Sequence, residues 1–411
     1  MTNQKTVLVL YGDPSRKVLL QQYNTSDLPF QINPHHVDPA LSIGDQLAGI
    51  RERINDSSLP VEGTTVTSEF TSVLAAIINA EAGFNGPSLR SVYHAQNKAL
   101  FAQHAAFCNP HFPPTKILAS GEDVPQGQKW YPGFMKPAAG SLSNAAYQVD
   151  NPTDALEKYT RAASLSRTDV LWREAIFQPV VQAGDPALSS FMLQPFQDFP
   201  QYTVDGYVFD GQVHWVGITE SVFDQAGHSF ERFDFPANLA KNTTDELHQV
   251  IERVINRINY DMGFFNVEFF VNDEGHIILI EFNTRLAFQF IPLYAARYRN
   301  NIFIESCRLT LGEAPQLEPI TAEQMASSCV LRLYHDAKVF KTPTRTECQS
   351  VIEEGLADSV RVIPQAGKRL SDYKQDQYSF RYAIINIRGK DRVEIDKKLA
   401  EVKNRLTFVF S

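Results

Sequence analysis

The segment from Gly263 to Gln289 constrains the fold of this chain more than any other stretch. Two apolar runs flank Asn272–Gly275 (NDEG), a turn sequence typical of a β-hairpin. If Asn272 pairs with Gly275, the side chains separate onto two faces, because successive residues of a strand point to opposite sides. The predicted core face is wholly apolar and comprises Phe265, Val267, Phe269 and Val271 opposite Phe282, Ile280 and Ile278.

The other face of this hairpin is polar. It carries Asn266 and Glu268 on the first strand, and Glu281 and Asn283 on the second. In this register Glu268 lies diagonal to Glu281, roughly 7–8 Å away at the backbone, close enough to share hard cations. Arg285 follows just beyond and adds a positive charge. The alternative is a solvated sheet face, since antiparallel sheets commonly alternate in this way, and the hairpin alone does not decide between the two.

Length and composition exclude several classes of protein. A chain of 411 residues exceeds one ordinary core, so two or three domains are expected. A net charge of −9 disfavours nucleic-acid binding by bulk electrostatics. The four cysteines are widely spaced without a CxxC pair, which argues against a zinc ribbon and a disulfide framework. We expect a cytoplasmic protein that does not span a membrane, because no signal-peptide core or stretch of about 18 apolar residues is present.

The N-terminal part of the chain indicates a small open α/β lobe. Thr6–Tyr11 is an apolar, β-branched run typical of a buried parallel strand. The loop that follows at Gly12–Arg16 lacks both GxGxxG and the Walker lysine pattern, so a dinucleotide or P-loop site is not supported. Ser72–Ala82 and Ser91–Phe107 each predict a helix, and the second contains Lys98.

A second polar feature lies within Trp130–Val149. Lys136 stands at the end of an apolar strand, directly before the small-residue loop Pro137–Ala145 (PAAGSLSNA). Small residues let backbone N–H groups approach an anion closely, and a lysine at the strand end would add its charge to the same anion. An ordinary hairpin turn is the alternative, but the position of the lysine favours phosphate binding.

The rest of the chain supplies further elements of a mixed fold. We predict a strand at Ser190–Phe196, a hairpin at Gln201–Thr219, an amphipathic helix at Thr244–Asp261, a helix at Ile291–Leu311, and short strands followed by a charged helix (Arg392–Arg405) in Cys329–Ser411.

Four of these stretches, in this order, resemble the ATP-grasp superfamily and specifically its carboxylate–amine (amino-acid) ligases. NKALF at Asn97–Phe101 is similar to the family's first phosphate-binding lysine segment. GFMKPAAGSLSN at Gly133–Asn144 is similar to the second lysine strand and its glycine-rich lid. Phe191–Glu220 resembles the hinge strand that holds adenine and the hairpin after it, and Phe265–Ala287 resembles the metal-binding hairpin.

The resemblance implies an α/β ATP-grasp fold with an N-terminal Rossmann-like pre-ATP-grasp domain and a small C-terminal α+β appendage. We place the pre-ATP-grasp domain at residues 1–113 and the ATP-grasp small lobe, with its lysine strand and lid, at 114–188. The large lobe, with the hinge and metal hairpin, would span 189–325, and the C-terminal subdomain 326–411.

The resemblance also implies roles for the matching residues. Lys136 and Arg285 would be catalytic, with Arg285 against the transferred phosphoryl group or the substrate carboxylate. The implied cofactor-binding residues, which would contact ATP through its phosphates, adenine or ribose, are Lys98, Lys136, Gly140, Ser141, Ser143, Asn144, Gln194, Phe196 (through its backbone) and Gln201. Glu268, Glu281 and Asn283 would hold one or two Mg²⁺ ions, for which Mn²⁺ could substitute.

Several positions depart from the family pattern. Ala138 and Ala139 stand where glycine or arginine is frequent, and Thr284 replaces a common proline. Gln194 and Gln201 replace carboxylates, although an amide can still bind adenine or ribose hydroxyls. Ala287–Gln289 replaces a small, glycine-rich segment, so a bulky group, including Phe288, is expected to shape the acceptor pocket. His228 and Arg232 are candidates for substrate recognition, with surface-loop positions as the alternative.

The implied reaction activates a small carboxylate, such as an amino acid, as an acyl phosphate and joins it to an amine, releasing ADP and phosphate. The expected partners are these small molecules, with no nucleic acid and no membrane; a homodimer is left open. Two alternatives remain: an ATP-grasp carboxylase or acid–thiol ligase, and a nucleotide-binding scaffold or regulator without turnover.

Overall fold

The computed structural model describes residues 4–38, 40–56, 58, 60–140, 145–165, 167–224, 227, 229–321, 324–373, 375–376 and 379–411. The N-terminal lobe is a three-stranded parallel sheet with helices on its faces. Its elements are β1 (Thr6–Tyr11), α1 (Arg16–Tyr23), β2 (Gln31–His36), α2 (Ile43–Ile54), β3 (Val61–Val66) and α3 (Glu69–Ala82), with strand order β2-β1-β3. All six residues of β1 are buried, as its continuous apolar run predicts.

Two helices follow where the sequence predicts one helix over Ser91–Phe107, so that prediction is wrong. They are α4 (Leu89–Gln96) and α5 (Lys98–Cys108). Asn97 leaves the helical conformation (φ −79°, ψ 95°), and its side chain accepts a hydrogen bond from Leu100 N at 3.1 Å. The asparagine therefore caps a new helix whose first residue is Lys98, since Asn is among the best N-cap residues.

The small lobe is a four-stranded antiparallel sheet. Its elements are β4 (Lys116–Leu118), β5 (Gly133–Pro137), β6 (Tyr147–Val149), α6 (Pro152–Leu165), α7 (Arg167–Phe177) and β7 (Phe191–Pro195), with strand order β4-β7-β5-β6. The strand β5 carries Lys136 and pairs with β7, which leads into the predicted hinge.

The large lobe and the C-terminal region share one sheet. The elements of the large lobe are β8 (Gln201–Phe209), β9 (Gln212–Phe223), β10 (Phe230–Phe235), α8 (Lys241–Ile258), β11 (Gly263–Val271), β12 (Ile277–Asn283), α9 (Ile291–Tyr294) and α10 (Ile302–Thr310). Those of the C-terminal region are β13 (Met325–Leu333), β14 (Val339–Lys341), α11 (Arg345–Glu353), β15 (Ser359–Val362), β16 (Phe380–Gly389), α12 (Arg392–Arg405) and β17 (Val409–Phe410). The strand order β12-β11-β8-β9-β10-β13-β16-β15 shows that β13, β16 and β15 extend the large-lobe sheet.

The single helix predicted over Ile291–Leu311 is also wrong. The structure has the short helix α9 and then α10, which begins after Asn301. The chain turns after Tyr294, and Tyr298 forms an isolated bridge with Pro319. The Asn301 side chain then accepts a hydrogen bond from Phe303 N at 2.9 Å and caps α10.

The hairpin β11–β12 is confirmed, but its register differs from the predicted one. Asn272 N donates to His276 O at 3.0 Å, which lengthens the turn by one residue. A bulge between Glu268 and Phe269 adds a second shift, so Glu268 lies directly opposite Glu281 rather than diagonal to it. The core residues of β12 are therefore Ile277, Leu279 and Phe282 instead of Ile278 and Ile280.

The apolar face of this hairpin is covered by α8. The buried residues of this helix, among them Leu247, Ile251 and Ile258, form one core cluster with Phe265 and Phe282 of the hairpin. Helix α8 covers the apolar face of the hairpin, and Lys136 of β5 contacts the backbone of β12. The polar face of β11 and β12 is therefore on the side of the lysine strand. No helix in the described ranges is long and apolar enough to cross a membrane.

Candidate active site

Two carboxylates form the centre of the site. Glu268 on β11 and Glu281 on β12 are direct cross-strand partners, a position in which Cβ atoms lie about 4.5–5.5 Å apart. Gln201, at the start of β8, donates from Nε2 to Glu268 Oε2 at 3.0 Å. The residue that the resemblance assigns to ribose therefore holds a carboxylate of the centre.

Both predicted lysines reach the same two strands. Lys98 Nζ, at the start of α5, lies 2.5 Å from Glu281 Oε2. Lys136 Nζ, on β5, donates to the backbone oxygen of Ile280 at 3.2 Å. The lysine segments are themselves joined, because Lys98 N donates to Ala138 O at 2.8 Å. Residues far apart in sequence thus place two ammonium groups beside two carboxylates.

Burial and charge set the acidity of these groups. Burial, and next the charge of Glu281, raise the pKa of Glu268 above its ordinary value. Burial also opposes ionisation of Glu281, but Lys98 and Lys136 outweigh it and lower the pKa of that carboxyl. Burial, and then the neighbouring Lys98, lower the pKa of Lys136 to about 8. Burial and neighbouring charge thus shift the pKa of each of these groups, as is common in sites that bind charged ligands.

A chain of hydrogen bonds links the acidic pair to two buried asparagines and a buried aspartate. Asn283 Nδ2 donates to Asn266 Oδ1 at 3.2 Å and to Glu281 Oε1 at 3.4 Å, so these bonds do not engage the Asn283 amide oxygen. Asn266 Nδ2 in turn donates to Asp205 Oδ2 at 2.9 Å, and Ala287 N donates to Asp205 Oδ1 at 3.2 Å.

Asp205 is a residue that the sequence reasoning missed. It is fully buried, and burial raises its pKa to about 6 despite hydrogen bonds that favour the charged form. The signal was present, because Gln201, Thr203 and Asp205 are polar at alternate positions of β8 and so share one face.

The donor set at the centre fits a hard divalent cation. Glu268 and Glu281 offer carboxylate oxygens and Asn283 an amide oxygen on one sheet face. Mg²⁺ and Ca²⁺ are held by such oxygen ligands, whereas zinc and copper sites are richer in histidine and cysteine.

Arg285 is fixed by a second missed residue, Glu69. Arg285 Nη2 lies 2.8 Å from Glu69 Oε1, and Glu69 is the first residue of α3 in the N-terminal lobe. The same contact surface includes a hydrogen bond of 3.2 Å between the hydroxyls of Ser72 and Thr284, the threonine that replaces a common proline. The N-terminal lobe therefore orients the arginine that follows the acidic hairpin.

The predicted adenine-binding segment lies at the edge of the small lobe. Gln194 Nε2 donates to Thr115 Oγ1 at 2.8 Å. Phe196 N donates to Pro132 O at 2.9 Å, so a base bound by the Phe196 backbone would use its carbonyl oxygen. The Phe196 side chain is exposed.

The predicted lid is described only in part. Gly140 follows β5, whereas Ser141, Ser143 and Asn144 lie outside the described residues. Ala138 and Ala139 are fully buried, and Ala138 N donates to Ser190 O at 2.8 Å. Ala139 belongs to the core cluster that contains Leu8, Val73 and Tyr93 of the N-terminal part of the chain.

Of the three residues predicted to recognise substrate, the structure brings one near the centre. Phe288 lies three residues after Arg285, and its ring packs against the guanidinium of Arg16. Arg232 is on β10, four strands from β12 or about 19 Å at ordinary strand spacing. It contacts Asp234 at 3.1 Å and Asp396 of α12 at 2.6 Å, so it joins the C-terminal helix to the sheet. His228 lies outside the described residues.

Comparison with known proteins supports the fold described above. Residues 130–292 match the ATP-grasp domain family. An L-amino acid ligase from Bacillus licheniformis superposes with a TM-score of 0.76 at 12% identity, covering 100% of both chains. The biotin carboxylase domain dimer of Hydrogenobacter thermophilus 2-oxoglutarate carboxylase, in complex with MgADP, ADP and bicarbonate, gives a TM-score of 0.68 at 13% identity, over 99% of this chain and 91% of that one.

One curated relative is also similar in sequence. It is the "Uncharacterized protein y4rH" of Sinorhizobium fredii, 25% identical over 273 residues, which cover 66% of this chain and 52% of the relative. The chain thus spans about half the length of the curated relative it matches. The match to the domain family and the full-length superpositions, joined to the lysine, hinge and acidic elements described above, establish that this chain has the ATP-grasp fold and contains an ATP-grasp domain at residues 130–292.

Proposed function

We propose that this chain is an ATP- and Mg²⁺-dependent ligase that joins a small carboxylate, such as an amino acid, to an amine. The observation that carries the proposal is the pairing of Glu268 and Glu281 on adjacent strands, with Lys98 2.5 Å from Glu281 and Lys136 beside the same strand. In the proposed reaction the γ-phosphoryl group of ATP passes to a carboxylate oxygen and ADP leaves. The amine nitrogen then attacks the acyl carbon and phosphate leaves.

Glu268, Glu281 and Asn283 would hold the Mg²⁺. When bound, Mg²⁺ neutralises charge on the phosphates and on the group in transfer. Gln201 and Asn266 keep the ligands in position, through hydrogen bonds of 3.0 Å to Glu268 and 3.2 Å to Asn283. Such supporting bonds matter because misplaced ligands lose affinity.

The cationic side chains would stabilise the developing negative charge. Lys98 and Lys136 stand beside the acidic pair and would contact the ATP phosphates, while Arg285, oriented by Glu69, would face the transferred phosphoryl group or the substrate carboxylate. Lys98 must then exchange its contact with Glu281 for one with phosphate. Gln194 and the Phe196 carbonyl oxygen would bind the adenine edge.

Two related functions differ only in the acceptor or in turnover. A carboxylase or acid–thiol ligase would keep the same acyl-phosphate chemistry and use a different acceptor. Structural similarity to a biotin carboxylase domain favours this alternative. A scaffold would bind nucleotide without turnover. The buried acidic pair with its two lysines favours turnover, because such groups are costly to bury without a functional role.

The test is a screen for ADP release over pairs of amino acids, with hydroxylamine as a small amine that also traps acyl phosphates. We expect ADP formation that depends on a carboxylate and on Mg²⁺, and its loss in Glu281→Gln. The matched control is Glu274→Gln, an exposed glutamate in the turn of the same hairpin, which should turn over like the unchanged protein. Release of AMP and pyrophosphate would contradict the proposed ADP-forming reaction. Nucleotide binding without any ADP formation would favour a scaffold without turnover.

A further inference from the structure

A group of arginines lies close to Arg285. Arg16 is the first residue of α1, Arg361 lies on β15, and Arg381 on β16. The N-terminal lobe, the acidic hairpin and the C-terminal strands therefore each contribute to one region. The sequence gives no hint of this, because residues 16 and 361 are far apart in the chain.

Arg16 lies over an aromatic ring. Its guanidinium carbon lies 4.5 Å from the centroid of the Phe288 ring, and Nη1 donates to the backbone oxygen of Thr67. The Arg16 Nε atom is buried and has no hydrogen-bond partner among the described residues. A guanidinium stacked on a ring keeps its edge free for planar, two-point contact with a carboxylate or phosphate.

The acidic residues nearby are already taken by other arginines. Asp13 Oδ2 lies 2.8 Å from Arg361 Nη2 but 3.9 Å from Arg16 Nε, beyond hydrogen-bond distance. Glu69 is held by Arg285 at 2.8 Å. Of Arg16, Arg285 and Arg361, Arg16 is the one without a hydrogen-bonded acid among the described residues. An excess buried cation is unfavourable unless an anion joins it.

The pKa of Arg16 also reflects the positive charges around it. Burial lowers its pKa to about 10; Asp13 opposes this shift, and the positive charges of Arg361 and Arg285 add to it. Arg285 and Arg361 are therefore close enough to act on Arg16. Burial and the charges of Arg332 and Arg361 likewise lower the pKa of Arg381, whereas Asp376 and Asp13 oppose this shift.

We propose that Arg16, seated on Phe288 next to Arg285, binds a second anionic group of the carboxylate substrate, so that the enzyme selects acids with two anionic groups over neutral ones. This rests on the proposed function, which places the reacting carboxylate near Arg285. The second group is a carboxylate or a phosphate, since both present the paired oxygens that a guanidinium edge binds. Phe288, at the position where a bulky group was expected to shape the pocket, supports Arg16.

The experiment measures binding and turnover with three matched pairs of acids: L-glutamate against L-glutamine, L-aspartate against L-asparagine, and O-phospho-L-serine against L-serine. Binding is measured by calorimetry with Mg²⁺ and a non-hydrolysable ATP analogue, and turnover by ADP release with hydroxylamine. We expect the unchanged protein to bind at least one acidic member about tenfold more tightly than its neutral partner, as one charge-assisted contact allows. The pair that shows this identifies the second group as carboxylate or phosphate.

Substitutions assign the preference to Arg16. Arg16→Gln should remove the preference for the acidic member of a pair without weakening binding of the neutral member. Arg16→Lys keeps the charge but not the two-point contact, so it should retain only part of this preference. Lys17→Gln removes an exposed charge from the next position of the same helix and should change nothing. If Arg16→Gln does not fold, Arg16→Lys still decides the question.

The outcomes separate this inference from the proposed function. Equal binding of acidic and neutral members, or a preference that survives Arg16→Gln, overturns the role of Arg16. ADP formation with neutral acids alone supports the proposed ligase activity and overturns the proposal that Arg16 binds a second anionic group. Acidic preference in binding without ADP formation from any acid supports the anion site and overturns the ligase.

Discussion

The ion pair between Lys98 and Glu281 predicts that stability and turnover respond differently to matched substitutions. Glu281→Gln leaves Lys98 beside a neutral amide, and Lys98→Met leaves Glu281 with Lys136 and Arg285 as its neighbouring cations. The double variant removes both charges and retains the approximate side-chain volumes. A double-mutant cycle isolates the coupling between the two groups because each single variant breaks the same contact.

The magnitude follows from the burial of the pair. The Lys98 and Glu281 side chains are 12% and 20% exposed, and their charged atoms lie 2.5 Å apart. Removing one partner of a fully buried pair costs about 3–5 kcal/mol, and the partial exposure here reduces the expected cost to roughly 2–3 kcal/mol. For a cooperative unit of ordinary size this is ~5–10 °C in the unfolding midpoint. The double variant should recover at least half of that loss, since it leaves no unpaired charge.

The assay pairs thermal unfolding, followed by circular dichroism without nucleotide or metal, with ADP release. We expect all three variants to lack turnover, including the double variant that regains stability, because the phosphate-binding and metal-binding groups are then both missing. Additive losses of midpoint in the double variant would refute the coupling. Turnover in Glu281→Gln would refute its assignment as a metal ligand.

Two further substitutions test the structure around this centre. The pKa of Asp205 is raised to about 6 from 3.8, so its ionisation destabilises the fold as pH rises through that range, by up to ~3 kcal/mol. The difference in unfolding midpoint between Asp205→Asn and the unchanged protein should therefore shift in favour of the variant between pH 4 and pH 7; a difference independent of pH would contradict the raised pKa. Asn97→Ala removes the cap of α5 and a 2.8 Å hydrogen bond from Asn97 Nδ2 to Pro186 O, and should lower stability by about 2 kcal/mol. It should also weaken ATP binding measured by calorimetry because Lys98 follows directly; unchanged affinity would show that the cap does not position the lysine.

The elements of this fold were predictable where the signal is local. The buried strand at Thr6–Tyr11 and the charged helix at Arg392–Arg405 have the predicted bounds, because continuous apolar runs and helical spacing are properties of neighbouring residues. The breaks in the two predicted helices were not predictable from spacing alone. At Asn97 a single capping residue separates two helices, whereas after Tyr294 the chain turns and Tyr298 pairs with Pro319, a residue distant in sequence, before Asn301 caps the next helix.

The residues of the candidate site follow a similar division. Glu268, Glu281, Lys98 and Lys136 could be named from strand alternation and from resemblance to a family. Asp205 and Glu69 were missed because an acidic residue in a strand or at a helix start is ordinary until its partner is known. Their partners, Asn266 and Arg285, lie 61 and 216 residues away.

The hairpin at Gly263–Gln289 separates what the sequence determines from what the tertiary structure determines. The sequence by itself determined that β11 and β12 pair around NDEG, with one apolar and one acidic face, because these depend on turn residues and on alternation. Only the tertiary structure decided that Glu268 stands directly opposite Glu281, since one extra residue in the turn and one bulge together shift the register. It also decided that Lys98 contacts Glu281 and that Glu69 and Arg16 lie close to Arg285, because helices from distant parts of the chain carry these three residues there and no local pattern encodes that distance.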